Sequence, residues 1–284
     1  MNSKRMKIGL ALIPVIIQAC LENPERKNVD ENELKTSAIT TGVDLKMNNY
    51  ARPGLANDIG AGTSGTWVVG TPPNGNGFRM YRWNGSNDWN DWGGGGMKIS
   101  VAKNTPWAAN SIYNLYYMNG STWVSVPGTS SVIDVAANDS GTIGVIEAAP
   151  IRANGGMVLK KVGNTWVRMG TMYNALSIAV DAAGTFWVSD IANQIWRLAS
   201  WDSDWQYMYT GAVDIGAASD DVIYVCSNSQ TPDSNYRIFR ISGSVWRQVK
   251  DISGNALSGV HIDAVDDNHI WYTKANKKIY EASL

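Results

Sequence analysis

Short apolar runs divided by short polar breaks dominate this chain, and the clearest example lies between Ile99 and Gly128. There the runs 99–102, 107–109, 115–118 and 123–126 are each of strand length and rich in aromatic and β-branched residues. The breaks are Lys-Asn-Thr, Asn-Ser-Ile-Tyr-Asn and the pair Asn119-Gly120, both of whose residues tolerate the positive φ of a two-residue hairpin turn. The pattern predicts a four-stranded antiparallel meander. Alone, such a unit would leave its faces and edges open to water.

The rest of the chain supplies partners by repetition. With a first-strand isoleucine as anchor, copies fall at Ile59, Ile99, Ile133, Ile178, Ile215 and Ile262, spaced by 40, 34, 45, 37 and 47 residues. Propeller blades recur in that range. Second strands carry Trp67, Trp107, Gly144, Trp187, Tyr224 and Trp271, and third strands Tyr81, Tyr116, Lys160, Trp196, Phe239 and Tyr280. Fourth strands carry Trp89 or Trp92, Trp123, Trp166, Trp205 and Trp246. The sixth copy ends at its third strand, while Tyr50-Ala-Arg-Pro-Gly54 precedes the first copy much as Trp123-Val-Ser-Val-Pro-Gly128 precedes Ile133. The expected fold is all-β: a six-bladed β-propeller of four-stranded antiparallel blades over residues 44–284. An N-terminal strand at about residues 46–54 completes the last blade, closes the ring and removes its free edges.

The recurring frame stands here as DIGAG, GTWVV, MYRWNG and WVSVPG, with the variants AGTFWV, QIWRL and RIFRISGSVW. It resembles the tectonin family of β-propeller lectins, over nearly all of the ring. That resemblance implies glycan recognition, in some members of methylated sugars or lipopolysaccharide. The third copy departs from the frame, with Gly144 in place of the aromatic and VLKKVGN in place of the aromatic third strand.

Ahead of the repeats, Lys4, Arg5 and Lys7 precede an apolar run from Ile8 to Ala19 that is too short to span a bilayer, and Cys20 follows. Residues 1–19 are expected to be a signal peptide. Ile17-Gln18-Ala19-Cys20 looks like a bacterial lipobox, with Cys20 as the lipidated residue; an ordinary signal peptide with an incidental cysteine is the alternative. Residues 20–43 are polar, with Glu22, Glu25, Asp30, Glu31 and Glu33, and are expected to be a disordered, lipid-anchored linker. The expected location is the bacterial cell envelope, as an outer-membrane lipoprotein facing the periplasm or the exterior, with the membrane touched through the anchor alone.

Composition removes several function classes. Cys20 and Cys226 are the only cysteines, so no disulfide framework is possible once Cys20 is acylated, and Cys226 falls on a second strand as a buried apolar residue. Loss of the three leader cations takes the formal charge from −1 to −4, and no basic stripe is present, which argues against nucleic-acid binding. The two histidines, His261 and His269, could be assembled with Asp263, Asp266 and Asp267 into a metal site, but Asp and Asn occupy the same first turn in other repeats, where they shape the backbone. No HExxH, GxSxG or phosphate-cradling glycine loop occurs. The expectation is no catalytic residue, no metal and no cofactor.

The spacing from second-strand to third-strand marker alternates: 14, 9, 16, 9, 15 and 9 residues. This predicts a pseudo-threefold face with long loops at 71–78, 147–157 and 227–236 flanking three shallow gaps. Candidate carbohydrate contacts there are Phe78, Asn110, Tyr113, Arg152, Tyr173, Asp190, Asn193, Tyr209, Asn228, Tyr236 and Lys274. Sugars stack on rings and need amide or carboxylate partners for their hydroxyls. The expected function is a multivalent lectin whose weak sites gain by avidity. The alternative is a protein-interaction scaffold, which would show one contiguous apolar patch instead of repeated aromatic platforms. A propeller enzyme working through Asp134, Asp214 and Asp263 stays barely open.

Overall fold

The computed structural model describes residues 40–148, 154–198 and 203–284. The leader, Cys20, nearly all of the linker and Arg152 lie outside them. The described strands form six four-stranded antiparallel blades. Blade 2 is Lys98–Ala102, Thr105–Ala109, Leu115–Asn119 and Thr122–Ser125; blade 3 is Val132–Ala137, Ile143–Glu147, Met157–Val162 and Thr165–Arg168. Blade 4 is Ala175–Val180, Phe186–Asp190, Gln194–Leu198 and Gln206–Thr210; blade 5 is Ala212–Ala217, Val222–Gln230, Tyr236–Ser242 and Val245–Asp251.

One long strand, Leu45–Gly62, serves two blades. Its first half pairs antiparallel with Lys278–Ser283, from Asn48 opposite Ser283 to Leu55 opposite Lys278, and so becomes the outer strand of blade 6 beside His261–Asp266 and His269–Thr273. Its second half pairs with Gly65–Pro73 and opens blade 1, which continues through Phe78–Trp83 and Trp89–Asp91. First strands of neighbouring blades pack on one another all the way round, blade 6 on blade 1 included. The ring is closed as the sequence predicted. Upstream of the closing strand, Thr40–Thr41 runs parallel to Val245 and Trp246, and Leu45 to Met47 run parallel to Val249 to Asp251. The approach to the ring is thus a short strap on the outer edge of blade 5.

The second-strand aromatics are core: Trp67, Trp107, Trp187, Tyr224 and Trp271 are all buried. Fourth-strand tryptophans clasp the preceding blade. Trp89 Nε1 donates to Pro53 O (2.8 Å), Trp123 to Trp92 O (3.2 Å) and Trp166 to Pro127 O (3.3 Å). The acceptor in each case lies at the end of the previous outer strand, so the W…P-G frame is an interblade joint.

Two details of the repeat differ from the sequence expectation. Gly60, Ser100, Ala136, Ala179, Gly216 and Asp263 face Trp67, Trp107, Gly144, Trp187, Tyr224 and Trp271, which makes them one structural position. In that frame the third anchor is Val135, not Ile133; Ile133 falls in a bulge two residues earlier. The third blade is also complete despite Gly144. A Cβ at Gly144 would lie 2.3 Å from the Phe186 ring, so the space of the missing aromatic is filled from blade 4.

Candidate functional site

Antiparallel pairing places the start of each first strand, the loop between second and third strands, and the crossover between blades at one end of the ring. We call this the upper end. The repeat there has a period of two blades. Blades 1, 3 and 5 carry aspartate one residue before the anchor, at Asp58, Asp134 and Asp214, whereas blades 2, 4 and 6 carry Lys98, Ser177 and His261. Each aspartate accepts the backbone N–H of the next first strand: Asp58 from Ile99 (2.8 Å), Asp134 from Ile178 (3.0 Å) and Asp214 from Ile262 (2.9 Å). Neighbouring first strands share no backbone ladder, so these side chains supply the missing hydrogen bonds. Asp263, expected among the inner carboxylates, lies two residues further along the channel and accepts Ala61 N–H at 2.8 Å.

These groups surround a channel of about 250 Å³ lined by Asp58, Lys98, Asp134, Ser177, Asp214 and Asp263. Lys98 Nζ is 3.5 Å from Asp58 Oδ1, and His261 Nδ1 is 3.5 Å from the same oxygen and 3.6 Å from Asp214 Oδ2. Burial disfavours charge on Lys98, but Asp58, Asp134 and Asp214 overcome it and raise the ammonium pKa above its usual range. Burial lifts Asp134 to about 7, against the pull of Lys98 and with the help of Asp58 and Asp214. Burial likewise lifts Asp263 to about 8. For Asp214 burial is outweighed by His261, Lys98 and the Ser177 hydroxyl, which keep its pKa below the ordinary carboxylate range. His269 is elsewhere, with Nε2 at 2.7 Å from Glu281 Oε1. Among the described residues no three His, Cys, Asp or Glu side chains are placed to share a metal.

Above the ring sits an aliphatic collar. Asn57, Met97, Ile133, Leu176, Val213 and Val260 precede the six ring residues, and Asn57, Ile133, Leu176 and Val213 occupy shifts in strand register. A bulge of this kind re-aims a side chain at a sheet rim. Met97 and Leu176 are 39% and 41% exposed; Asn57 and Val260 are partly exposed, and Ile133 and Val213 keep part of their surface while packing against the cores below. Ile112 and Ile191, in turns at the same end, add 53% and 48% exposed aliphatic surface. Nothing in the sequence marks this collar, because a single apolar residue before each anchor is indistinguishable from strand core.

The structure spreads the predicted sugar contacts over several tasks. Asn110 and Asp190 are buried and close equivalent five-residue turns: Asn110 Oδ1 accepts Asn114 N–H (2.9 Å) and Asp190 Oδ1 accepts Gln194 N–H (2.8 Å). Tyr113 and Asn193 take the left-handed position in those turns, at φ 66° and 58°, as Lys277 does in blade 6. The carbonyls of these three accept N–H groups of the following blade, from Val132, Ala212 and Ala56. Lys274 starts the third such turn and holds Nζ 4.8 Å from the Tyr280 ring. Phe78 and Tyr236 begin the third strands of the long hairpins in blades 1 and 5, and Asn228 is exposed in the second of these. Tyr209 is buried, with its hydroxyl bonded to Gly243 O. Tyr173 alone offers a broad ring, 60% exposed, with the Arg168 guanidinium 4.0 Å from its centre.

No protein-family model matches this chain, and no curated protein matches it. Solved structures do, as folds. YCF48 bound to D1 peptide aligns with a TM-score of 0.52 at 11% identity, covering 81% of this chain and 78% of that one. A protein of unknown function from Bacteroides thetaiotaomicron aligns at 0.55 and 12%, covering 86% and 73%. The WD40 β-propeller domain of Doa1 aligns at 0.51 and 10%, covering 86% and 97%. The chain is a β-propeller protein.

Proposed function

We propose that this propeller is a non-catalytic binding protein whose upper face docks a polypeptide segment across the mouth of the channel. The observation that carries this is the exposed aliphatic surface at the upper end: Met97 and Leu176, each just before a ring residue, with Ile112 and Ile191 in turns at the same end. Apolar rims of this kind mark protein interaction sites. The propeller solved as YCF48 bound to D1 peptide lends the reading a precedent in the same fold. The channel carboxylates have a structural task, since Asp58, Asp134, Asp214 and Asp263 each accept a backbone N–H from a neighbouring first strand.

A second reading, glycan binding, is favoured by Tyr173 and by the tectonin-like repeat. The free side of the Tyr173 ring could stack on a pyranose, with Asn174 next to it in the crossover. That gives one platform where a threefold lectin needs three.

Panning a random peptide display library against the protein, with counter-selection on Leu176→Asp, tests the first reading, and a glycan array of envelope and methylated sugars tests the second. Enriched peptides that lose binding to Leu176→Asp support docking. Sugars whose binding falls with Tyr173→Ala, without any such peptide, overturn docking in favour of the lectin. We further propose that the protein is a cell-envelope lipoprotein anchored through Cys20; labelled palmitate should be incorporated, and Cys20→Ser should abolish this.

A further inference from the structure

Resting on the docking function proposed above, we propose that the mouth selects a basic side chain of the docked segment. Its aliphatic stem lies against Met97 and Leu176 of the collar, and its ammonium or guanidinium head enters the ring below to meet Asp134.

Charge complementarity singles out this occupant. Five carboxylates line the channel, Asp58, Asp134, Asp139, Asp214 and Asp263, against one lysine, Lys98, and a histidine, His261, beside Asp58 and Asp214. Both of the latter serve the same side of the ring: Lys98 lies 3.5 Å from Asp58, and His261 lies between Asp58 and Asp214 at 3.5 and 3.6 Å. Asp134 has no ion pair within 4 Å among the described residues. It is buried, 6% exposed, and among the described residues its hydrogen bonds come from the N–H groups of Ile178 and Val135. A buried carboxyl without a cation is neutralised by a proton or by a ligand. A lysine- or arginine-like side chain matches both layers, because such chains bury an apolar stem while the charged head seeks polar partners. The chain's own Lys98 enters the ring beside Asp58 with a similar disposition.

Binding is then linked to protons. Asp134 titrates near 7, so an incoming cation displaces its proton, and affinity rises between pH 6 and pH 8. The groups facing it are Asp58, Asp214, Lys98 and His261 in the ring and Asp263 in the layer below.

The test is an amide NMR titration of the protein with n-butylguanidinium, using uncharged n-butylurea as control. The expected result is a millimolar interaction that moves the Val135 and Ile178 amides, tightens about fivefold or more from pH 6 to pH 8, and is absent for n-butylurea. Asp134→Asn should weaken it about fivefold or more. Lys98→Met, which removes the competing internal cation, should strengthen it, a gain that a misfolded variant does not give. No shift at these amides, or equal binding of the urea, overturns the proposal. Peptides that need the collar but carry no basic residue also overturn it and leave docking standing. Absence of any collar-dependent peptide overturns docking itself.

Discussion

The indole Nε1 of Trp205 donates to the carbonyl of Met169 at 2.9 Å, tying the outer strand of blade 4 to the end of the outer strand of blade 3. Gly170, next in the chain, holds φ at +60°, and a Cβ there would lie 2.6 Å from the indole Cδ1. The tryptophan and the glycine are therefore one device. In blade 5 the equivalent Trp246 has a buried Nε1 with no partner among the described residues, and its ring packs edge-on against Tyr209 at 5.8 Å. Trp205→Phe should cost about 1 kcal/mol more than Trp246→Phe, the worth of a hydrogen bond that only the first loses. Urea unfolding of both variants checks this; equal losses would mean the clasp is packing alone.

Close approach of neighbouring first strands explains the glycine of the D-I-G copies. A Cβ on Gly216 would lie 2.8 Å from Asp263 Cα, and one on Gly60 2.8 Å from Ser100 Cα, both backbone atoms that cannot step aside. Gly216→Ala should destabilise by about 1–3 kcal/mol, an overpacking cost, although alanine is tolerated at the equivalent positions 136 and 179. Thermal unfolding of the variant gives the answer.

Stability should fall as pH rises across neutrality. Asp134 and Asp263 titrate at about 7 and 8 in the fold against 3.8 in the unfolded chain, so each contributes stability that is complete below about pH 4 and lost through those values. Asp214 and Glu281, held below their ordinary range, act in the opposite sense and weaken the fold only in acid. Calorimetry should show Tm descending from pH 5 to pH 8.5, with Asp134→Asn and Asp263→Asn each flattening that limb. A flat wild-type profile would contradict the placement of these carboxyls.

Ring closure should be the least dispensable part of the N-terminal half. Arg52 bonds to Glu281 and its guanidinium lies 5.2 Å from the Trp83 ring and 5.8 Å from the Trp271 ring, joining the closing strand to blades 6 and 1. Truncation to residue 45 removes only the Thr40–Thr41 strap on blade 5, keeps Met47 in the core and should leave a cooperative transition, whereas truncation to residue 56 opens blade 6 and should abolish it. Circular dichroism melts of the two separate the roles.

Much of this architecture was legible in the chain. Strand-length apolar runs, the Asn119-Gly120 turn and the tryptophan recurrence gave the blades, and the missing sixth outer strand gave the closure. The alternating loop lengths hinted at the two-blade period, but its chemical half was hidden. Asp58 and Asp214 stand before isoleucine, while Asp134 stands before Val135, and anchoring on Ile133 shifted that copy by two residues. Site residues were harder still. Asn110, Asp190, Tyr113 and Asn193 have the composition of sugar ligands, yet the same side chains and left-handed backbones are what tight turns require. No local pattern separates those uses, and the outward aim of Leu176 depends on a register shift that only strand pairing reveals.

The most direct test of the docking face is the affinity of a collar-selected peptide for wild-type protein and for the Met97→Asp/Leu176→Asp variant, measured by calorimetry at pH 8 with Tm recorded for both. A loss of tenfold or more at unchanged Tm is predicted. Equal affinity in a folded variant would contradict the account and move the site away from the channel mouth.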